Sequence, residues 1–135
     1  MYRYRSVVKL YQTDAAGLIF FARIFEIAHD AYQDFLEHIG YGMKSLLADG
    51  DYLIPIVHAS ADFKHPLFVG DDIDVILKIK HLGKSSFTTH YDILKNETTA
   101  AIVQTVHVFL QRKTSQKSDI PKLFRDKLSA YIHEG

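Results

Sequence analysis

One long amphipathic stretch sets the limits on how this 135-residue chain can fold. Within residues 22–39 the apolar side chains recur at the three- and four-residue spacing of one helix face, and polar side chains take the opposite face. Gly40 follows directly and provides the usual helix stop. At roughly 1.5 Å per residue this helix is about 27 Å long, which is enough to cross a whole sheet. Its apolar face comprises Ile24, Ile27, Ala28, Ala31, Tyr32, Phe35, Leu36 and Ile39.

Beyond that helix the hydrophobic period changes from 3.6 to 2. In residues 72–82, Ile73, Val75 and Leu77 alternate with polar side chains, as in a strand with one buried face. Because the connections are short, we expect most neighbouring strands to be antiparallel. The other predicted strands are 2–11, 52–63 with a break near Pro55, 86–95 and 98–111, and the predicted turns are 65–72, 82–85 and the segment KNET. Two short helices are predicted at 43–50 and 120–132.

This order of elements predicts one α+β domain over residues 1–135, in which an antiparallel sheet of about five strands wraps around a long central helix. The 16 basic and 16 acidic residues balance, which favours self-association and gives no electrostatic reason to expect a nucleic-acid partner. No apolar run approaches the roughly 18 residues of a membrane span, and the N-terminus does not resemble a signal peptide. We therefore expect no membrane span and a cytoplasmic location.

The sequence lacks the motifs of several common classes of enzyme and metal site. The chain has no cysteine, which excludes thiolate ligands and a cysteine nucleophile. It contains no Walker loop, GxGxxG, HExxH or GxSxG segment. Its eight histidines do not follow metal-ligand spacing. We therefore expect neither a metal site nor a bound cofactor.

The segment YQTDAAGLIFFARIF, residues 11–25, is the best candidate for chemistry. Asp14 precedes small residues that let the backbone turn tightly, and apolar residues that suit a dry pocket wall follow. The long helix then begins near Phe21 with its first N–H groups unpaired. A carboxylate beside free backbone donors is an arrangement that acyl transfer uses, because one group attacks or activates water while the other binds the oxyanion. From these residues alone, a purely capping role for Asp14 stays open.

The segment TDAAGLIFFARIFEIAHDAYQDFL resembles the signature of the hotdog-fold acyl-CoA thioesterases of the 4-hydroxybenzoyl-CoA thioesterase type. The resemblance continues through PIVHASADFKHPLFVGDDIDVILKI, GKSSFTTHYDI and AAIVQTVHVFL, and so covers essentially the whole chain. It implies a hotdog fold and an acyl-CoA substrate. Within the family, the first segment is most similar to members that hydrolyse 1,4-dihydroxy-2-naphthoyl-CoA in quinone biosynthesis.

The resemblance also implies roles for individual residues. Asp14 matches the essential carboxylate, which acts as nucleophile or general base, and Phe21 matches the residue whose backbone N–H polarises the thioester carbonyl. Gly17 fits the close approach of the acyl group to the backbone. The family places its site between two subunits of a dimer or a dimer of dimers, with strand residues around 58–63 of the partner completing the pocket. The implied substrate contacts are Leu18 and Ile19 at the acyl group, His58 at the acyl end and Lys84 near the CoA phosphates.

The sequence leaves two other functions open. The same mechanism would serve 4-hydroxybenzoyl-CoA, short aliphatic acyl-CoA or acyl-carrier-protein thioesters. The chain could also be a non-catalytic acyl-CoA binding module. Hotdog dehydratase chemistry is disfavoured, because the neighbouring residues His29 and Asp30 point to different sides of the helix.

Overall fold

The computed structural model describes residues 1–42 and 50–132, which form an antiparallel sheet and the long helix that it wraps. The strands are β1 (Tyr2–Val7), β2 (Tyr52–Leu53), β3 (Ile56–Phe63), β4 (Asp72–Leu82), β5 (Ser86–Lys95), β6 (Thr98–Val108) and β7 (Leu110–Gln111). The helices are α1 (Ile24–His38), α2 (Lys122–Ser129) and two 3₁₀ turns, Leu10–Gln12 and Phe21–Arg23. Neither α1 nor α2 is long and apolar enough to cross a membrane.

The main sheet has five strands in the order β1-β4-β5-β6-β3, and all its pairs are antiparallel. The prediction of a five-stranded antiparallel sheet around a long helix is therefore confirmed. Side chains on the inner face, such as Val75, Tyr91 and Val103, are fully buried beneath α1. Strands β2 and β7 form a separate two-stranded ribbon. As predicted, Pro55 separates β2 from β3.

Helix α1 ends where the sequence predicts. The N–H of Gly40 donates to the carbonyl of Glu37, and the N–H of Tyr41 donates to the carbonyl of Leu36 over 2.7 Å. Gly40 has φ of +94°, a left-handed conformation that glycine adopts without the strain of a Cβ atom. The apolar stripe packs on the sheet, and Ile24, Ala31 and Phe35 are completely buried.

Four predicted boundaries differ from those in the structure. The first strand ends at Val7 instead of residue 11, because residues 9–12 turn back and bury Gln12, whose Oε1 accepts the Lys9 N–H. A 3₁₀ turn delays α1 to Ile24. The strand predicted over 98–111 divides, because its last residues pair with β2. The final helix is shorter than 120–132, and the helix predicted at 43–50 lies, except for Gly50, outside the described residues.

A buried polar cluster lies between α1 and the sheet. The His107 ring stacks between Tyr32, with ring centroids 4.4 Å apart, and Phe87, at 4.8 Å. Its Nε2 is 2.8 Å from Thr105 Oγ1, which in turn is 3.0 Å from the Tyr91 hydroxyl. Burial lowers the pKa of His107 from 6.5 to about 3, and the nearby charge of His29 acts in the same direction. The fold therefore holds this imidazole neutral.

The low pKa of His107 predicts that acid begins to weaken the fold at a pH above the range where carboxylates titrate. The unfolded chain takes up this proton near pH 6.5, whereas the folded chain does so only near pH 3, so stability falls as the pH drops through that window. The slope should reach about 1.4 kcal/mol per pH unit. Urea unfolding at pH 7 and pH 5 measures it. His107→Gln should reduce the dependence of unfolding free energy on pH. The same substitution at exposed His81 should leave that dependence unchanged. Equal slopes for His107→Gln and the wild type would contradict the prediction.

Candidate active site

The Asp14 carboxylate is anchored by the backbone of its own turn. Its Oδ1 accepts the N–H of Ala16 over 2.9 Å and the N–H of Leu18 over 3.2 Å. The backbone closes the same turn, since the N–H of Asp14 donates to the carbonyl of Leu18 and the N–H of Gly17 donates to the carbonyl of Asp14. Within the described part of the chain, Oδ2 receives no hydrogen bond, and the residue is exposed. One carboxylate oxygen is therefore fixed and the other is available to a ligand.

Gly17 gives the turn its shape. Its φ is +77°, in the left-handed region where a residue with a Cβ atom is strained. Its carbonyl accepts the N–H of Val69 over 2.9 Å, which ties the turn to the segment that precedes β4. An added Cβ would lie 3.6 Å from a Val69 methyl, an ordinary contact distance. The requirement for glycine is therefore conformational, and the surrounding space would admit a methyl group.

Gly17→Ala should consequently lower both stability and catalysis. The left-handed conformation costs an L-residue roughly 1–2 kcal/mol, and relaxation of that strain would move the Asp14 carboxylate. Gly70→Ala is a matched control, because Gly70 has φ of +87° and, chain neighbours aside, no atom of residues 1–42 and 50–132 lies within 4 Å of an added Cβ. We expect both variants to lose similar unfolding free energy and only Gly17→Ala to lose catalytic activity as well. Equal activities would show that the turn does not position Asp14.

The long helix begins beside this turn with free backbone donors. Residues Phe21–Arg23 form a 3₁₀ turn that leads directly into α1. The N–H of Arg23 closes that turn on the carbonyl of Phe20. The N–H of Phe21, the first residue of the turn, finds no acceptor among residues 1–42 and 50–132. A helix start with free N–H groups carries partial positive charge and suits an oxyanion.

A cavity of about 330 Å³ opens against the same segment. Most of its wall is apolar, and Lys64 and His65 add two basic side chains. The backbone fixes the two sides relative to each other, because the N–H of Ile19 donates to the carbonyl of Leu67 over 2.8 Å. The apolar lining residues are Leu18, Ile19, Phe21, Phe63, Pro66 and Leu67.

The structure brings together five of the residues that the sequence singles out. Asp14, Gly17 and Leu18 share one hydrogen-bonded turn, and Ile19 continues from it to Phe21 at the helix start. Their catalytic and binding roles stay predictions. The geometry places a carboxylate and free amide donors in one short stretch of chain, and this stretch shares an apolar cavity with residues 63–67.

The other two predicted contacts lie elsewhere in the same subunit. His58 pairs with Val106, whose side chain is on the outer face of the sheet, whereas Phe63 pairs with buried Ala101 on the inner face. Lys84 follows the C-terminal end of β4, whereas the Asp14 turn lies near the N-terminal end of the same strand. Strand β4 has 11 residues, so at about 3.3 Å per residue it separates Lys84 from the Asp14 turn by roughly 35 Å. Any role for these two residues in substrate binding stays a prediction that the single subunit does not test.

Sequence reasoning assigned residues 65–72 only to a turn. In the structure His65, Pro66 and Leu67 of this turn line the cavity together with the preceding Lys64, and Val69 is hydrogen-bonded to Gly17. The signal available in the sequence was the apolar content of KHPLFV, which is high for a solvated turn. Among the described residues, no group of three or more histidine, aspartate or glutamate side chains is placed to hold a metal ion.

Comparison with known proteins finds thioesterases among the family models, the sequence relatives and the solved structures. The model of the Thioesterase-like superfamily matches residues 8–128. A 1,4-dihydroxy-2-naphthoyl-CoA hydrolase from Synechococcus elongatus is 34% identical over 128 residues, which is 94% of each chain. A crystal structure of a 1,4-dihydroxy-2-naphthoyl-CoA thioesterase from Synechocystis superposes with a TM-score of 0.88 at 29% identity over 98% of each chain. A gentisyl-coenzyme A thioesterase superposes at 0.84 with 26% identity, over 95% of this chain and 99% of that one.

The chain belongs to the thioesterase-like superfamily, and its fold is the hotdog fold. The predictions of the family, of the fold and of a thioester hydrolase are confirmed.

Proposed function

We propose that this protein hydrolyses an aromatic acyl-CoA, with 1,4-dihydroxy-2-naphthoyl-CoA as the leading candidate, and that Asp14 is its catalytic carboxylate. The proposal rests on the arrangement of groups around the Asp14 turn. The Asp14 carboxylate, held through Oδ1 with Oδ2 free, lies in the turn that leads to the unpaired N–H of Phe21 and to an apolar cavity. The names of the Synechococcus and Synechocystis relatives support the choice of substrate.

The proposed reaction needs only groups that this chain supplies. The thioester carbonyl oxygen accepts the Phe21 N–H, which stabilises the negative charge that develops on it. Oδ2 of Asp14 either attacks the carbonyl carbon or takes a proton from a water that does so. In the first route the C–S bond breaks to give an anhydride and CoA thiolate, and water then hydrolyses the anhydride. In the second route water attacks directly and CoA thiolate leaves.

Isotopic labelling distinguishes base catalysis from an anhydride that water opens at the Asp14 carbonyl. In a single turnover in ¹⁸O-labelled water, attack of water on the Asp14 carbonyl of an anhydride would leave label in the Asp14 side chain. Base catalysis would place label only in the acid product. Mass spectrometry of the peptide that contains Asp14 reads the outcome directly.

The cavity favours a flat aromatic acyl group. Leu18, Ile19 and Leu67 supply aliphatic walls, and Phe21 and Phe63 supply rings. Lys64 and His65 at the same wall suit an acyl group that carries ring hydroxyls. An aliphatic chain would fill the apolar part but offer no hydroxyl group to these two exposed side chains.

The active unit that we propose is a dimer, or a dimer of dimers, with each site completed by a second subunit. Strand β3 supports this assembly, because it is an edge strand with nearly every side chain exposed, including Val57 at 60% and Phe63 at 46%. Lys84 lies too far from the Asp14 turn to meet the same acyl-CoA within its own subunit. We therefore assign its proposed contact with CoA phosphates to a site in a neighbouring subunit.

An acyl-CoA panel tests the proposed function. Thiol release from 1,4-dihydroxy-2-naphthoyl-, 4-hydroxybenzoyl-, benzoyl- and butyryl-CoA is followed at equal enzyme concentration, together with an acyl-carrier-protein thioester. We expect the highest kcat/KM for the hydroxylated aromatic substrates. Preference for butyryl-CoA or for the carrier-protein thioester would replace the substrate assignment. Tight binding of acyl-CoA without any thiol release would instead identify a binding module.

A further inference from the structure

The Asp71 carboxylate closes a turn immediately before β4. Its Oδ2 accepts the N–H of Phe68 over 2.7 Å, and the backbone N–H of Asp71 donates to the carbonyl of Phe68 over 3.1 Å. Side chain and backbone therefore hold the same residue. The N–H of Val8 donates to the carbonyl of Asp71, and the carbonyl of Val8 accepts the N–H of Gly70. The turn of residues 68–71, which we call the clamp turn, is thus tied to the residue that follows β1.

Lys95 ties the clamp turn to the end of β5. Its Nζ lies 2.8 Å from Asp71 Oδ2 and 5.4 Å from the centroid of the Phe68 ring. This ion pair is partly shielded from water, since the side chains of Lys95 and Asp71 are 31% and 19% exposed. Burial acts to raise the pKa of Asp71, but the bonds from Lys95 and from the Phe68 N–H outweigh it and hold that pKa below its ordinary value. The bond to the Phe68 N–H is therefore charge-assisted, which makes it stronger than a neutral hydrogen bond.

The clamp turn pairs with the turn that contains the proposed catalytic carboxylate. The N–H of Val69 donates to the carbonyl of Gly17 over 2.9 Å, and Phe68 lies opposite Leu18 in an antiparallel bridge. Leu18 bonds to Asp14 through both of its backbone groups, because its N–H donates to Asp14 Oδ1 and its carbonyl accepts the Asp14 N–H. A continuous series of hydrogen bonds therefore leads from the clamp turn to Asp14.

We propose that Asp71 is a positioning residue for thioester hydrolysis, because its carboxylate holds the clamp turn against the backbone of residues 17–18 and so fixes Asp14 at the thioester. The inference rests on the assignment of Asp14 in the proposed function. Asp71 acts through the clamp turn and takes no part in the chemical step, and Lys95 is its partner from β5. A misplacement of about 1 Å at a reacting group can lower the rate by about 10²-fold, so a loosened clamp turn should reduce kcat.

Three substitutions separate the two contacts of the Asp71 carboxylate. Asp71→Ala removes both the acceptor for the Phe68 N–H and the ion pair, and it should lower kcat by up to about 10²-fold. KM should stay close to that of the wild type, because no residue that lines the cavity is substituted. Asp71→Asn and Lys95→Met each remove the ion pair and keep an oxygen acceptor for Phe68, so we expect smaller losses of similar size. Wild-type kcat in Asp71→Ala, or a change in KM alone, would overturn the proposal.

Two controls distinguish this role from a general loss of charge or stability. Asp72→Ala removes the neighbouring carboxylate, which is exposed at the start of β4, and should keep the wild-type kcat. Gly70→Ala strains the clamp turn but keeps the Asp71 carboxylate and both of its contacts, so it should lower the unfolding midpoint and keep kcat. All rates are measured well below the unfolding midpoint of every variant. A loss of kcat in either control as large as in Asp71→Ala would overturn the proposal.

A double variant tests whether Asp71 acts through the turn of Asp14. Gly17→Ala and Asp71→Ala are each expected to displace the same carboxylate, so their effects on kcat should not be independent. The variant with both substitutions should lose little more kcat than the more affected single variant. Thiol release at saturating 1,4-dihydroxy-2-naphthoyl-CoA measures the three losses. Losses that multiply would show independent actions and overturn the proposal.

Amide hydrogen exchange reports on the contact between the two turns without any turnover. Loss of one hydrogen bond to a charged group should accelerate exchange of the Val69 N–H, which bonds to Gly17, by about 10- to 100-fold in Asp71→Ala. Asp72→Ala should leave this rate unchanged. An unchanged rate in Asp71→Ala would overturn the proposal. An inactive Asp14→Asn beside a fully active Asp71→Ala would overturn this inference alone, whereas a fully active Asp14→Asn would overturn the proposed function.

Discussion

Phe21→Pro should lower kcat for thioester hydrolysis by about 10²–10³-fold without disrupting the fold. Proline removes the backbone N–H that we assign to the oxyanion, and loss of one such donor typically has this effect. The substitution suits the position, because proline is favoured at the first residue of a helix, where the N–H has no partner in the helix. The preceding residue, Phe20, already has the extended conformation that proline requires, with ψ of 125°.

Phe21→Leu is the matched control, because it removes the ring and keeps the N–H. We expect Phe21→Leu to change KM through the cavity wall and to retain most of kcat. Steady-state thiol release, with unfolding measured in parallel, distinguishes the two variants. If both lose activity equally, the ring is the functional group and the backbone assignment is wrong.

Asp14→Asn should abolish most of the activity, with kcat lower by about 10²–10⁴-fold. The amide can keep the contacts of Oδ1, since its oxygen still accepts the N–H groups of Ala16 and Leu18. It can neither attack the thioester as a carboxylate nor accept a proton from water. Turnover at saturating acyl-CoA measures the loss, and an unchanged urea midpoint would show that the turn is preserved.

Asp14→Glu is the control that keeps the carboxylate charge but moves it away from its position in the turn. Its carboxylate is one methylene farther from the backbone, so it cannot keep the same hydrogen bonds and reach the same carbonyl carbon. We expect it to retain more activity than Asp14→Asn and much less than the wild type. Full activity would mean that the anchored geometry of the turn is unimportant.

The fold could be predicted from the sequence to a large extent because its main signals are periodic. The stripe from Ile24 to Ile39 identifies α1, and alternation in residues 72–82 identifies β4 with its bounds unchanged. The boundaries that were missed depend on tertiary contacts. Burial of Gln12 ends β1 early, and the pairing of Leu110–Gln111 with β2 divides the last predicted strand.

In the site, too, some residues could be predicted from local sequence, while others depend on long-range contacts. Asp14, Gly17 and Phe21 lie close together in sequence, so a local pattern could predict that they lie together in the structure. Phe63 and Leu67 join them through long-range backbone pairing, such as the bond from Ile19 to Leu67, which no local pattern encodes. The outer-face position of His58 depends on strand register, because a shift of one residue would move its side chain to the other face.

The chemical step at Asp14 is tested most directly by a single turnover. Wild type and Asp14→Asn are each mixed in excess with 1,4-dihydroxy-2-naphthoyl-CoA, binding is confirmed by equilibrium titration, and quenched samples are assayed for free CoA. We predict that the wild type releases its CoA completely, while Asp14→Asn binds the thioester and leaves it intact over the same period. Release of CoA by Asp14→Asn at the wild-type rate would contradict the assignment of Asp14 as the catalytic carboxylate.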